Sequence, residues 1–419
     1  MKLWDKGIKI DKKIEQFTVG NDREIDMHIA KYDVNASLAH AKMLFSIGII
    51  TAIELQQLEK GLSILEKQIH EGTFVIESQF EDVHSKIEFE LTNMFGEVGK
   101  KIHTARSRND QVLVALQLYY KDQLQTIKGL VGTFFDTLLN LAELHKKCLL
   151  PGYTHLQVAM PSSFGLWFSS YAEVIVDDVY LLDAAIKTID QNPLGSAAGY
   201  GSSFPIDRNF TTTELGFGAL KYNVIAAQMG RGKNERTIAA ALGGIANTLS
   251  RFSMDICLYM SQNFDFIAFP DSLVTGSSIM PHKKNPDVFE LIRGKSNKIQ
   301  ALQIEMTLIT NNLPSGYHRD FQLLKENMIN LIEEMKTIVR DGGSIMATGR
   351  NKDDRVIACA LATAAFAEQV QPRLIMQKIT KHISRIQDDF TPEQLTVGRN
   401  VSDYLKRIGV YGSDGLINK

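Results

Sequence analysis

Residues 275–287 read TGSSIMPHKKNPD: two adjacent serines follow a glycine, and a lysine pair, an asparagine, a proline and an aspartate come soon after. Asn285-Pro286-Asp287 has the order of a helix opening. Asn285 serves as N-cap, Pro286 takes the first helical position and Asp287 complements the helix dipole. Lys283 and Lys284 then stand just outside an end that already carries partial positive charge. Two lysines there repel that end, which is poor for stability and well suited to an anion. A plain solvated loop would place acids here instead. If the anion is a carboxylate, a serine beside this cationic centre has its hydroxyl pKa lowered enough to act as a base. The chemistry indicated is removal of a carbon-bound proton alpha to a carboxylate, with lysine and helix amides stabilising the dianion that results. Spacing alone does not choose between Ser277 and Ser278, and it names no substrate.

Other segments of the same character lie far away along the chain. They are HTARSRNDQ (103–111), PGYTHLQVAMP (151–161), NPLGSAAGYGSSFPIDR (192–208) and LPSGYHRDFQ (313–322). Chemistry on a rigid scaffold collects in such connections. GYGSSF (199–204) begins like a dinucleotide-binding glycine motif, but position 204 is Phe204, and that site is rejected.

These segments need long helices to hold them. Residues 23–71 carry helical periodicity, with Leu38, Met43, Leu44 and Ile47 recurring, and Thr51 with Glu54 forms a capping box before a helix that Gly72 ends. No two-residue hairpin signal is evident there. Four proline-free runs follow: Asp110–Cys148, Ser162–Gln191, Ala226–Phe264 and Asp287–Leu313. As helices each spans roughly 40–55 Å. Such helices must lie side by side in a bundle, and apolar residues on more than one face predict packing between subunits. TIAAALGGIANTLS supplies small residues for close helix approach. The fold class expected is all-α, built on a long helix bundle.

Composition narrows the function classes. The 419 residues are 44% hydrophobic and 22% charged with a formal net charge of -2, so no basic face for nucleic acid is expected. Cys148, Cys257 and Cys359 lie far apart, which argues against a disulfide framework or a zinc site and fits a reducing cytoplasm. MKLWDKGIKIDKK lacks a signal-peptide core, and no stretch approaches a membrane span.

GSSIMPHKKNPD resembles the serine-loop motif of the fumarase/aspartase superfamily, and its KKNPD ending is closest to argininosuccinate lyases. RSRNDQV (106–112), PGYTHLQ (151–157), EDVH (81–84), DVNASLAHAKML (33–44) and GYHRDFQLLK (316–325) resemble segments of that family in the same order. The resemblance covers about residues 20–335. It implies a fumarase/aspartase-like architecture with an N-terminal helical domain (1–103), a central bundle (104–345) and a C-terminal helical segment (346–419). It implies that Ser277 is the base and Ser278 a donor to a carboxylate, with Lys283 and Asn285 stabilising the aci-carboxylate. His155 resembles the general acid that protonates the departing guanidino nitrogen, a task suited to a side chain with pKa near neutrality. Glu290 resembles the glutamate paired with that histidine. Thr154, Asn109 and Ser37 match substrate contacts, and His84 matches an auxiliary histidine. Tyr317, Gln322 and Lys325 match contacts to the amino-acid end of the substrate.

The activity implied is β-elimination of argininosuccinate to arginine and fumarate, by a homotetramer whose sites gather segments from three subunits. No metal or organic cofactor is implied. Elimination from another substituted succinate, such as adenylosuccinate, is the nearest enzymatic alternative, and a catalytically silent relative like the lens crystallins is the non-enzymatic one. Two stretches depart from the family pattern. Residues 226–237, AAQMGRGKNERT, stand where many members carry an SDRDF-like segment, and residues beyond about 345 do not resemble the usual last domain.

Overall fold

Thr51 opens a helix as its spacing to Glu54 predicts. Its hydroxyl accepts from the Glu54 amide, and the Glu54 carboxylate accepts from the Thr51 amide, which satisfies two otherwise orphaned donors. The computed structural model describes residues 12–339 except 270, 272, 273 and 281, so the expected segment 346–419 lies outside the described residues. The N-terminal part holds α1 (Lys12–Val19), α2 (Asp22–Asp26), α3 (Ala30–Ser46), α4 (Ala52–His70), α5 (Val83–Phe95) and α6 (Glu97–Lys100). A 3-10 turn, Lys101–His103, leads into the long α7 (Arg108–Leu144).

A hairpin of β1 (Leu149–Thr154) and β2 (Gln157–Ser163) then precedes α8 (Phe164–Ile189). Two-residue strands β3 (Gln191–Asn192) and β4 (Ala219–Leu220) pair in parallel around α9 (Arg208–Glu214). The chain continues through α10 (Val224–Met229), α11 (Lys233–Met260), α12 (Asp287–Ile309) and α13 (Phe321–Val339). Among the described residues the all-α expectation holds, with two small sheets beside the helices. No helix among the described residues is long and apolar enough to cross a membrane.

Helices α7, α8, α11 and α12 pack side by side in a bundle, and α13 lies against α12 and α7. The small residues of α11 set its spacing. A Cβ on Gly243 would come within 2.8 Å of Gln303 Oε1 on α12, and one on Gly244 within 2.9 Å of Asp178 Oδ1 on α8. At one end of the bundle Trp167 stacks on Phe252, and Asp255 accepts from Trp167 Nε1 at 3.0 Å and Tyr171 Oη at 2.6 Å. Farther along, Thr248 donates to Asp178 at 2.7 Å, so α8 and α11 run antiparallel.

Antiparallel packing fixes which ends meet. The C-terminal ends of α7 and α11 lie with the N-terminal ends of α8 and α12. The hairpin and the serine loop are the two connections at that end, and Tyr153 of β1 packs on Phe264 and Phe266 just after α11. The N-terminal ends of α7, α11 and α13 gather at the other end. The 37 residues of α7 separate the two by roughly 55 Å.

Candidate active site, divided between the two ends of the bundle

At the hairpin end, Thr154 pairs with Gln157, leaving His155 and Leu156 as a two-residue turn with φ of 55° and 59°. Both central residues in the left-handed region is the I′ geometry, which matches strand twist and normally recruits Asn-Gly. Leucine pays a steric cost there, so the hairpin holds a strained turn with His155 exposed at its tip. Neither residue is Gly or Asn, so no local signal announces this turn. The connection expected at 151–161 is therefore a β-hairpin.

The serine loop is closed at its base by Asn285, whose amide donates to the Thr275 carbonyl at 2.9 Å, and by Thr275 Oγ1 donating to Asp287. This corrects the expected helix opening. α12 begins at Asp287 with Pro286 at the cap, because the Asn285 backbone is committed to the bridge with Thr275. Ser277 Oγ accepts from the amides of Ile279 and Met280 at 3.3 Å each, so the loop turns around the serine itself. Ser278 is exposed. Lys284 pairs with Asp271 at 2.5 Å, while Lys283 is exposed and its ammonium has no acceptor among the described residues. Glu290 is also exposed, and its neighbour within the chain is Arg293 at 3.9 Å rather than His155.

A cavity of about 420 Å³ occupies the other end. His84, Asn109, Tyr317, Gln322 and Lys325 line it, whereas Ser277, Ser278, Thr154, His155, Lys283, Asn285 and Glu290 do not. Ser37 lies beneath it and accepts from Arg106 Nη1 at 3.0 Å. Asn109 reaches the cavity because Ser107 caps α7 in a box with Asp110, so the helix-start sequence and the site position coincide. Asp110 also accepts from the amides of Gly195 and Ala197 at 3.0 and 2.9 Å, tying the glycine-rich 192–208 segment to this helix tip.

Electrostatics organise the cavity wall. His84 Nδ1 lies 3.0 Å from Asp33 Oδ2, both side chains being buried, and His84 Nε2 has no partner among the described residues. Burial opposes ionisation of Asp33, but His84, Arg106 and Arg108 outweigh it and hold the carboxyl below its ordinary value. Arg108 reaches Asp82 at 3.2 Å and Ser85 at 3.1 Å. Arg231, from the divergent 226–237 segment, donates to the Phe321 carbonyl at 2.7 Å and stacks over the Phe321 ring. Asp22, Asp26, Arg106, Arg108, Arg231 and Arg319 line the cavity and were not singled out from the sequence. Arg106 and Arg108 sit within RSRNDQV and could have been. Asp22 and Asp26 carry no local signal, since their partner Lys325 is some 300 residues away.

His103 makes the fold acid-sensitive. Burial, then the nearby Arg106 and Arg108 charges, pushes it down to about 4. The unfolded chain takes up this proton near the ordinary value of about 6.5, so between there and 4 it binds more protons than the folded chain. Stability therefore falls as pH drops through that window. Urea midpoints measured at pH 7 and pH 5 should show the loss, and His103→Gln should shrink it; an unchanged difference would discount His103 as a cause.

The sequence comparisons agree with this architecture. A family model described as lyase matches residues 6–301. The chain is 56% identical over 339 residues to the argininosuccinate lyase of Parabacteroides distasonis, covering 81% of this chain and 76% of that protein. The chain belongs to the argininosuccinate lyase family. The enzyme of that name from Thermotoga neapolitana is 44% identical over 339 residues, 81% of this chain and 85% of the relative. A crystal structure of EDDS lyase in complex with formate shares the fold, with a TM-score of 0.66 and 24% identity over 80% of this chain and 67% of that one. For a member of the argininosuccinate lyases, the division of the expected site residues between two bundle ends is the feature that needs a physical account.

Proposed function

We propose that the chain splits argininosuccinate into L-arginine and fumarate by β-elimination, serving arginine biosynthesis in the cytoplasm. The observation that carries this is the 56% identity to an argininosuccinate lyase over 81% of the chain. Ser277 removes the proton from the succinyl carbon, Lys283 and Asn285 hold the dianion that forms, and Ser278 donates to a carboxylate. His155 protonates the departing nitrogen, with Glu290 of an assembled site as its partner. Thr154 and Asn109 hold the succinyl part, Ser37 is a further substrate contact, His84 has an auxiliary role, and Tyr317, Gln322 and Lys325 contact the amino-acid end.

The site assembles between copies in a homotetramer. Support comes from the separation of its parts and from what surrounds them. Leu156, Val158 and Met160 are 68%, 67% and 69% exposed, and Ile279 on the serine loop is 87% exposed. Apolar side chains at alternate hairpin positions and beside a reactive serine are costly in water and gain by burial against another copy. Within each chain we place a domain boundary at 103/104, where the 3-10 turn ends ahead of α7, a central part continuing to 345, and a C-terminal segment from 346.

Purified protein given argininosuccinate should release fumarate, followed by its ultraviolet absorbance. No fumarate from argininosuccinate, with turnover of adenylosuccinate instead, would move the substrate assignment; no turnover of either would favour a silent relative.

A further inference from the structure

The hairpin that carries His155 has little within its own chain to hold its tip. Residues 154–161 are all exposed. A two-stranded hairpin by itself is marginal in water and needs packing against other elements. This one also carries two left-handed residues at its turn, and such residues persist only where the surrounding structure over-determines them. A contact next to the tip must therefore set its place.

Tyr153, the last residue before the exposed stretch, makes that contact. Its ring meets Phe264 edge-on with centroids 5.3 Å apart and lies 6.3 Å from Phe266. The wall it meets is fixed to the bundle. The amides of Phe266 and Ile267 donate to the Tyr259 carbonyl at 2.9 and 3.2 Å, and the Tyr259 ring packs on Phe266 and on Trp167 of α8. The strand pairing shifts at the same point. Gly152 faces Met160 but Tyr153 faces Val158, which leaves Ala159 as an extra residue in a bulge. Bulges bend a strand and re-aim its side chains. Gly152 allows the close approach this requires, since a Cβ there would lie 3.0 Å from the Met160 carbonyl oxygen.

We infer that Tyr153 is a positioning residue for the elimination: its ring, anchored on Phe264 and Phe266, fixes the bulged hairpin so that His155, two residues on, meets the departing nitrogen. This rests on the function proposed above and deepens it. The anchor belongs to the same chain as the histidine, so it sets the acid's place independently of what another copy packs against the hairpin.

Kinetics and hydrogen exchange on the intact oligomer test this. Tyr153→Ala should lower kcat about 10²-fold, the cost of misplacing a reacting group by about 1 Å. Tyr153→Phe keeps the ring and should recover most of that loss. Phe264→Ala removes the other side of the contact and should lower kcat likewise. In a His155→Asn protein, Tyr153→Ala should cost little further kcat, because groups that act as a unit are not additive. A shift of Thr154 would register in KM instead. Amides of residues 149–163 should exchange faster in Tyr153→Ala than in the unaltered protein or in Tyr153→Phe, a readout that needs no turnover.

An equal loss of kcat in both backgrounds would make Tyr153 a general structural residue and overturn the inference. So would an unchanged kcat in Tyr153→Ala, which would mean that contacts from another copy alone hold the hairpin. An unaltered protein that released no fumarate, while its hairpin amides still depended on Tyr153, would sink the proposed reaction and the catalytic role together and leave only the anchor.

Discussion

Ser277→Ala lowers kcat for fumarate release by about 10²–10⁴-fold, the range that a lost general base commands. The thermal midpoint stays where it was. The two outcomes separate because the hydroxyl contributes little to folding. Ser277 Oγ accepts two local amides at 3.3 Å in a loop whose tip is open to solvent, and alanine leaves those amides free to meet water. Surface changes of this kind usually stay within about 0.5 kcal/mol. The rate depends on the same oxygen for a different reason. A C–H alpha to a carboxylate is a weak acid, and its removal needs a base delivered next to a centre that stabilises the dianion. Lys283, exposed and without an acceptor among the described residues, is the charge available for that. A Ser277→Ala protein that retained most of its kcat would remove this serine from the chemistry and direct attention to Ser278.

The second large effect is recovery of activity from two dead proteins. Asn109→Ala damages the cavity end and His155→Asn the hairpin end, and each alone should be close to inactive. Co-expressed in one cell, they should give activity far above either parent. The reason is distance. α12 alone carries the chain 23 residues, roughly 35 Å, from the serine loop to the cavity end, and α7 separates Asn109 from the hairpin by more. Catalytic groups must approach to about 3 Å of a shared substrate. No bending of a packed bundle closes such a gap, so one substrate can meet both ends only if they come from different copies. A mixed oligomer then contains some sites with neither defect. If each site lay within one chain, mixing would add nothing, and activity equal to the sum of the parents would refute the shared arrangement.

Much of this molecule is legible from its residues in order. Long proline-free runs with helical spacing determine α7, α8 and α12 to within four residues, because helical hydrogen bonding is local and its punctuation is written in Pro, Gly and capping side chains, whereas the run expected at Ala226–Phe264 is broken between α10 and α11, where Gly232 takes a positive φ. The Thr51–Glu54 box is a case in which both partners are neighbours and the outcome follows directly. The residue types suited to proton abstraction, Ser277 beside Lys283 and Asn285, and the resemblance of their loop to a known family were likewise open to inspection.

What the order of residues did not reveal is set by partners distant in sequence. The I′ turn at His155-Leu156 contradicts local preference and survives because β1 and β2 pair on either side of it and Tyr153 is anchored on Phe264 and Phe266. Asn285 is drawn away from capping α12 by its bridge to Thr275. Asp22 and Asp26 gain meaning only when α13 brings Lys325 between them. Tertiary packing also decided that the serine and histidine lie at one end of the bundle and the charged cavity at the other. Spacing along a chain encodes the repeat of a helix, whereas the pairing of strands and loop ends lies outside that repeat, and the meeting of distant charges depends on how whole helices orient against one another.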